Sequence, residues 1–229
     1  MSKLIVCSDR LLLRNSRQLS YNSNLINEFI KNGNRFVLTT GKPFLFLYDD
    51  MDDGIPFIDS PYPLRKGRPY YTDLICLGGV YLYDGSDRMV HSHSINPEVV
   101  EYFENVSENN GNVEVRFETP FEGYRGKSNN VGDILLTPRR SMGYREAKHM
   151  VNRMMKQVKR IDSNVRLYHS SNDVYCSVRA SYEVKHKDSI VDNQIEYIMN
   201  KHGIESHNVF DLRNSKTREL NKVFKKIMK

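Results

Sequence analysis

The sequence predicts an α/β protein in which an α+β segment interrupts one parallel sheet. Three observations predict it. A strand–helix–strand unit opens the chain, a helix–strand–helix unit closes it, and the middle alternates elements in a different, turn-rich order. At 229 residues, with 39% hydrophobic and 27% charged residues, the chain can build one core and carry an insert.

Lys3 to Cys7 is an apolar run short enough to be a first strand and too short to be a signal peptide. Ser23 is the expected N-cap of a helix whose apolar residues Leu25, Ile26, Phe29 and Ile30 recur at helical spacing until Gly33. Arg35 to Leu38 is a second strand, running into Thr39-Thr40-Gly41-Lys42. A β–α–β unit this short implies parallel pairing with a right-handed crossover, and such strands carry chemistry at their C-terminal ends. Asp49 to Pro69 is rich in Pro and Asp and is expected as loop. Leu74 to Leu77 and Val80 to Tyr83 are apolar, with a turn at Asp84-Gly85.

Ser94 to Glu98 leads into a helix through Val99, Val100 and Phe103, and Asn110-Gly111 is a turn signal. Val113 to Phe117 alternates apolar with charged residues as a half-buried strand does. Glu122 to Asp133 is Gly- and Asn-rich, and Leu135-Leu136 belong to a short strand. Tyr144 to Ile161 is an amphipathic helix with Ala147, Val151, Met154, Met155 and Val158 on its apolar side. Val165 to His169 and Val174 to Val178 are strands around a turn at Ser170 to Asp173. Ile190 to His202 is a helix closed by Gly203, Val209-Phe210 a short strand, and Lys216 to Met228 a final basic helix. The expected division is a core of residues 1–88 and 177–229, with 89–176 inserted.

Composition narrows the functional classes. No stretch approaches the ~20 apolar residues of a membrane helix. Cys7, Cys76 and Cys176 are scattered, odd in number and without CxxC spacing, which fits a reduced, cytoplasmic setting and no zinc site. The net charge of +6 is concentrated in the C-terminal helix and in Arg139 to Arg160, where eight basic residues face the single acid Glu146. Such a face suits phosphate-bearing partners or plain solvation.

Four passages, in order, carry a resemblance. Lys3-Leu4-Ile5-Val6-Cys7-Ser8-Asp9-Arg10-Leu11-Leu12-Leu13 resembles a strand ending in a DxDGT(L/V) loop. Phe36-Val37-Leu38-Thr39-Thr40-Gly41-Lys42 resembles a strand ending in ATGR. Ile75 to Asp84 resembles the segment that precedes an inserted cap, and His202-Gly203-Ile204 with Val209 to Ser215 resembles a GDxxND loop. Together they are similar to the Cof-type (class IIB) branch of the haloacid dehalogenase (HAD) superfamily. The resemblance implies a Rossmann-like parallel-sheet HAD core with an inserted α+β cap, acting as a Mg²⁺-dependent phosphatase on a small phosphorylated metabolite. It implies an aspartyl nucleophile, a second Asp as acid/base, a Thr and a Lys on the phosphoryl oxygens, and acids of the last motif on Mg²⁺. Carried over, the catalytic residues are Asp9, Thr40 and Lys187, and the metal ligands Asp9, Asp211 and Asn214.

The motifs are eroded relative to that pattern. In one register Cys7 stands at the nucleophile and Asp9 at the acid/base; in the other Asp9 is the nucleophile and Leu11 the acid/base. The third-motif Lys falls where Val191 and Asp192 stand, and Lys187 or Lys185 could reach in from the preceding loop. Ser215 replaces the second Asp of the last motif. Catalytic groups act as a unit, so such losses lower turnover by orders of magnitude. Three readings follow: a phosphomonoester hydrolase, a pseudo-phosphatase that binds a phosphorylated ligand or a protein, and a nucleic-acid binder. The last would use Arg139, Arg140, Arg145, Lys148, Arg153, Lys156 and Lys159. His91 and His93, two apart, are read as surface histidines rather than metal ligands.

Overall fold

The computed structural model describes residues 2–8, 16–41, 71–119, 130–139, 141–169, 182–215 and 217–227. The chain divides into two compact units, one of Met1–His91 with Ile190–Lys229 and one of Ser92–Ser189.

The first unit holds β1 (Leu4–Ser8), α1 (Ser16–Lys31), β2 (Arg35–Thr39), β3 (Asp73–Cys76), β4 (Tyr81–Asp84) and β5 (Met89–Ser92). After the second unit follow α4 (Val191–His202), β10 (Val209–Asp211) and α5 (Thr217–Ile227). Its sheet has six strands in the order β10-β1-β2-β3-β4-β5. β10, β1, β2 and β3 are parallel, and β4 returns antiparallel to β3. Leu4 to Ser8 register against Arg35 to Thr39, so the parallel strands end together.

Strand alternation builds a three-layer core. Ile5, Cys7, Phe36, Leu38, Leu74 and Cys76 point to one face, where Phe29 of α1 and Phe224 of α5 cover them. Phe29 and Phe224 meet edge to face at 5.6 Å. Leu4, Val6, Val37 and Ile75 point to the other face, under Ile195 and Ile198 of α4. Both faces are thus apolar, which is why these strands read as continuous hydrophobic runs. On the edge where β2 and β3 begin, Arg35 clamps the buried Asp73 with Nε and Nη2 at 2.9 and 2.8 Å.

The second unit holds α2 (Pro97–Asn109), β6 (Val113–Glu118), β7 (Asp133–Pro138), α3 (Tyr144–Ile161), β8 (Val165–His169) and β9 (Tyr182–His186). Its four-stranded sheet runs β6-β7-β9-β8, antiparallel throughout. Val99 and Phe103 of α2 and Val151, Met154 and Val158 of α3 pack on Val113, Ile134, Leu136 and Val184. The Asn96 side chain caps α2 by accepting from the Glu98 N–H, with Pro97 in the first turn.

Three expectations change. α1 begins at Ser16 rather than after an N-cap at Ser23; its first half is polar and carries no apolar period from which that start could be read. β7 contains Leu135-Leu136 as expected but spans six residues, taking in Asp133, which was expected as the end of a loop. The return to the core, expected at 177, comes later: Tyr182–His186 pairs with β7 and β8 inside the second unit. The strand expected at Val174 to Val178 and the loops at Asp49 to Pro69 and 120–129 lie outside the described residues.

Candidate functional site

The four parallel strands of the first unit end on one edge, and the loops that leave them are drawn together by backbone hydrogen bonds. The Leu212 N–H donates to Val6 O at 2.8 Å, and the Ser8 hydroxyl to Arg213 O at 3.2 Å, so the loop after β10 docks on the end of β1. The Thr39 hydroxyl donates to Cys7 O at 3.4 Å. The Thr40 N–H donates to Ile75 O at 2.9 Å, and its carbonyl accepts from the Gly78 N–H at 3.2 Å. Ser8, Thr39, Thr40 and the loop 211–215 therefore share one edge.

The turn after β3 fixes the side of this edge nearest α4. Leu77, Gly78 and Gly79 all have positive φ, at 50°, 66° and 115°. Gly79 lies so close to the start of α4 that a Cβ there would meet Ile190 C at 2.2 Å, so only glycine fits. Buried Gln194 donates from Nε2 to Gly79 O at 2.8 Å, and its Oε1 lies 2.9 Å from His91 Nδ1. His91 also stacks on Tyr197 at 4.4 Å.

Charge at the edge is carried by three side chains. Arg213 Nε donates to both oxygens of Asp211 at 2.9 and 3.0 Å, and Nη2 adds a further bond to Oδ2. The Arg213 N–H donates to Asp211 Oδ1 at 3.0 Å, and Nη2 reaches Asp192 Oδ1, in the first turn of α4, at 2.6 Å. Partial burial opposes ionisation of Asp211, but the Arg213 hydrogen bonds prevail and hold its carboxyl below the usual range. The hydrogen bonds that Arg213 donates to Asp211 are foremost in pushing the guanidinium's pKa above its ordinary value.

The sequence-derived residues are distributed unevenly. Thr40 and Asp211 share the edge, and Asn214 lies exposed in the loop after β10. Asp9 lies outside the described residues. Cys7 is fully buried in the apolar layer under α1 and α5, which makes it a core residue rather than a nucleophile. Lys187 belongs to the second unit, where its N–H donates to Asn164 O at 2.6 Å and its side chain is exposed. Lys185 is committed elsewhere in that unit, bound to Glu183 at 2.7 Å and to Asp133 at 3.7 Å. His91 has the partners given above, and His93 stacks on His186 within the second unit at 5.8 Å.

Arg213, Asp192 and Gln194 received no role from the sequence. The signal for the first two was present: an acid stands where the resemblance expects the third-motif Lys, and a base stands two residues after Asp211. The described residues do not fit a divalent cation. Both Asp211 oxygens are taken by Arg213, and no group of three His, Cys, Asp or Glu side chains that could hold a metal occurs among the described residues.

No protein-family model matches the chain, and no curated protein matches it by sequence. Solved structures do match. A phosphatase of the HAD superfamily from Bacteroides thetaiotaomicron aligns over 92% of this chain and 76% of its own, with a TM-score of 0.58 and 10% identity. A haloacid dehalogenase-like hydrolase from B. subtilis aligns over 91% and 82%, at 0.55 and 13%. The sucrose-phosphatase of Synechocystis sp. PCC6803, solved with sucrose and phosphate, aligns over 92% and 75%, at 0.53 and 10%. The chain therefore has the HAD fold: a Rossmann-like core whose halves flank an inserted α/β segment.

Proposed function

We propose that the chain is a pseudo-phosphatase that binds a small phosphorylated molecule at the C-terminal edge of the six-stranded sheet. The observation that carries this reading is the state of Asp211. Its carboxylate is held by the chain's own arginine, while hydroxyl-bearing Ser8, Thr39 and Thr40 share the edge. An arginine with hydroxyl groups on the same edge suits an anionic oxygen ligand. The site lies where open α/β sheets bind ligands, and the sucrose-phosphatase of similar fold was solved with phosphate. The buried thiols of Cys7 and Cys76 are in keeping with a reducing, cytoplasmic setting. No helix among the described residues is long and apolar enough to cross a membrane.

A second reading, a Mg²⁺-dependent hydrolase of small phosphorylated metabolites, is favoured by the likeness to solved phosphatases. A third, nucleic-acid binding, is favoured by α3. There Arg145, Lys148, Arg153, Lys156 and Lys159 are exposed and form no ion pair among the described residues.

One set of assays separates the three. Sugar phosphates are expected to raise the melting temperature in the absence of turnover of a chromogenic phosphate ester with Mg²⁺. Turnover that vanishes in Asp9→Asn would install the hydrolase instead. Salt-sensitive binding of mixed oligonucleotides, without a response to sugar phosphates, would install the third.

A further inference from the structure

The resemblance places a lysine near position 192 and acidic metal ligands at and after position 211. The chain has Asp192 at the first place and Arg213 beside Asp211 at the second, and these two bond to each other at 2.6 Å. An acid stands where the resemblance expects a base, a base stands beside the retained Asp211, and the two newcomers are in direct contact. The same guanidinium grips both oxygens of Asp211. A magnesium ion needs oxygen ligands at about 2.0–2.1 Å in near-octahedral order and sheds its waters reluctantly. At Asp211 it would have to displace a planar, multiply bonded guanidinium that bears its own positive charge.

We propose that Arg213 is the resident cation of this site, taking the place of a divalent metal, so that anion binding at the edge depends on Arg213 and not on Mg²⁺. The role fits the bonding of the side chain. Nε and Nη2 are spent on Asp211 and Asp192, whereas Nη1 makes no hydrogen bond among the described residues. Its two N–H groups remain to meet a phosphate oxygen. The two carboxylates hold the guanidinium in place as metal-binding acids hold an ion. This inference rests on the proposed phosphate site for its anion-binding half; the displacement of metal stands on the Arg213 contacts alone.

The test uses the full chain with two probes, Mn²⁺ followed by its free-ion EPR signal and inorganic phosphate followed by calorimetry. Arg213→Gln removes the charge and releases Asp211 and Asp192. It is expected to bind Mn²⁺ at least ~10-fold more tightly than the wild type. The double variant Arg213→Gln/Asp211→Asn is expected to lose that gain, and circular dichroism verifies that both variants are folded. Equal or weaker Mn²⁺ binding by Arg213→Gln overturns the proposal. Phosphate is expected to bind the wild type equally well with EDTA or Mg²⁺, and ~10-fold or more weakly after Arg213→Gln. Phosphate binding that vanishes in EDTA overturns it as well. Absence of phosphate binding in either medium rejects the proposed function, while the Mn²⁺ comparison still decides whether Arg213 displaces metal.

Discussion

Each of the two sheets gathers carboxylates around one cation, in opposite surroundings. On the four-stranded sheet, Glu118, Asp133, Glu183 and Lys185 lie on neighbouring strands, on the face turned away from α2 and α3. The side chains of Asp133, Glu183 and Lys185 are 0%, 8% and 11% exposed. At the edge of the six-stranded sheet, the side chains of Arg213, Asp211 and Asp192 are 25%, 43% and 70% exposed. Water weakens a charge pair severalfold relative to the interior, so the same motif performs different work in the two places. The buried cluster ties two acids to one lysine out of water, where loss of a partner is costly. The exposed cluster contributes little to stability, and its geometry is what the proposed anion site would use.

That contrast breaks first if Lys185→Met is harmless. Removing the lysine leaves three buried acids with one cation fewer, and loss of one partner of a buried pair costs about 3–5 kcal/mol. Chemical denaturation of Lys185→Met against wild type should show a loss of this size. A change under ~1 kcal/mol would mean that the acids are compensated in another way.

Gly79→Ala probes the frame on which the exposed cluster is mounted. The added methyl meets the Ile190 backbone, and φ of 115° is strained for any side chain, so a loss of roughly 2–4 kcal/mol is expected. The anion affinity of the edge should fall with it, because the turn after β3 and the start of α4 would have to part.

The smallest effect is the most diagnostic. Arg213→Gln should change stability by only about 0–1 kcal/mol at neutral pH, and the two clusters should fail at opposite ends of the pH scale. Asp211 has a depressed pKa, so the stability it supplies is present above its ordinary value near 3.8 and is lost as pH falls through the lower folded value. Burial lowers the Lys185 pKa, but Asp133 and Glu183 outweigh this and raise it overall. Its contribution is therefore full below its ordinary value of 10.5 and is lost as pH rises through the higher folded value. Melting-temperature profiles should show Arg213→Gln converging on wild type in acid, and Lys185→Met converging in strong base. Convergence of both at the same end would contradict these assignments.

Local pattern made much of the fold legible. α3 covers Tyr144–Ile161 as its apolar period requires, and all five residues assigned to its inner side are buried. β1, β2, α4 and β10 lie within a residue or so of where hydrophobic runs and the Gly203 cap put them, Gly203 being left-handed with φ of 61°. β9 was not legible. Tyr182-Glu183-Val184-Lys185-His186 alternates apolar with charged residues, but its partners β7 and β8 lie far away or across a long connection in the chain. Its charged face, moreover, is buried rather than solvated. Thr40 and Asp211 are named as candidates through the family resemblance, and the structure places both at the strand ends; the Arg213 contacts with Asp211 and Asp192 left no mark in the sequence pattern.

By itself the sequence determined the α/β class, most helices and the parallel strands whose ends make the candidate site, because hydrophobic periodicity and capping residues act over a few positions. Tertiary structure alone decided which charges meet. Asp192 and Arg213 are twenty-one residues apart, and Lys185 is far from Asp133, so their pairing exists only once helix and strands have packed. A charge has meaning through its distance to a partner and its access to water. Folding sets both.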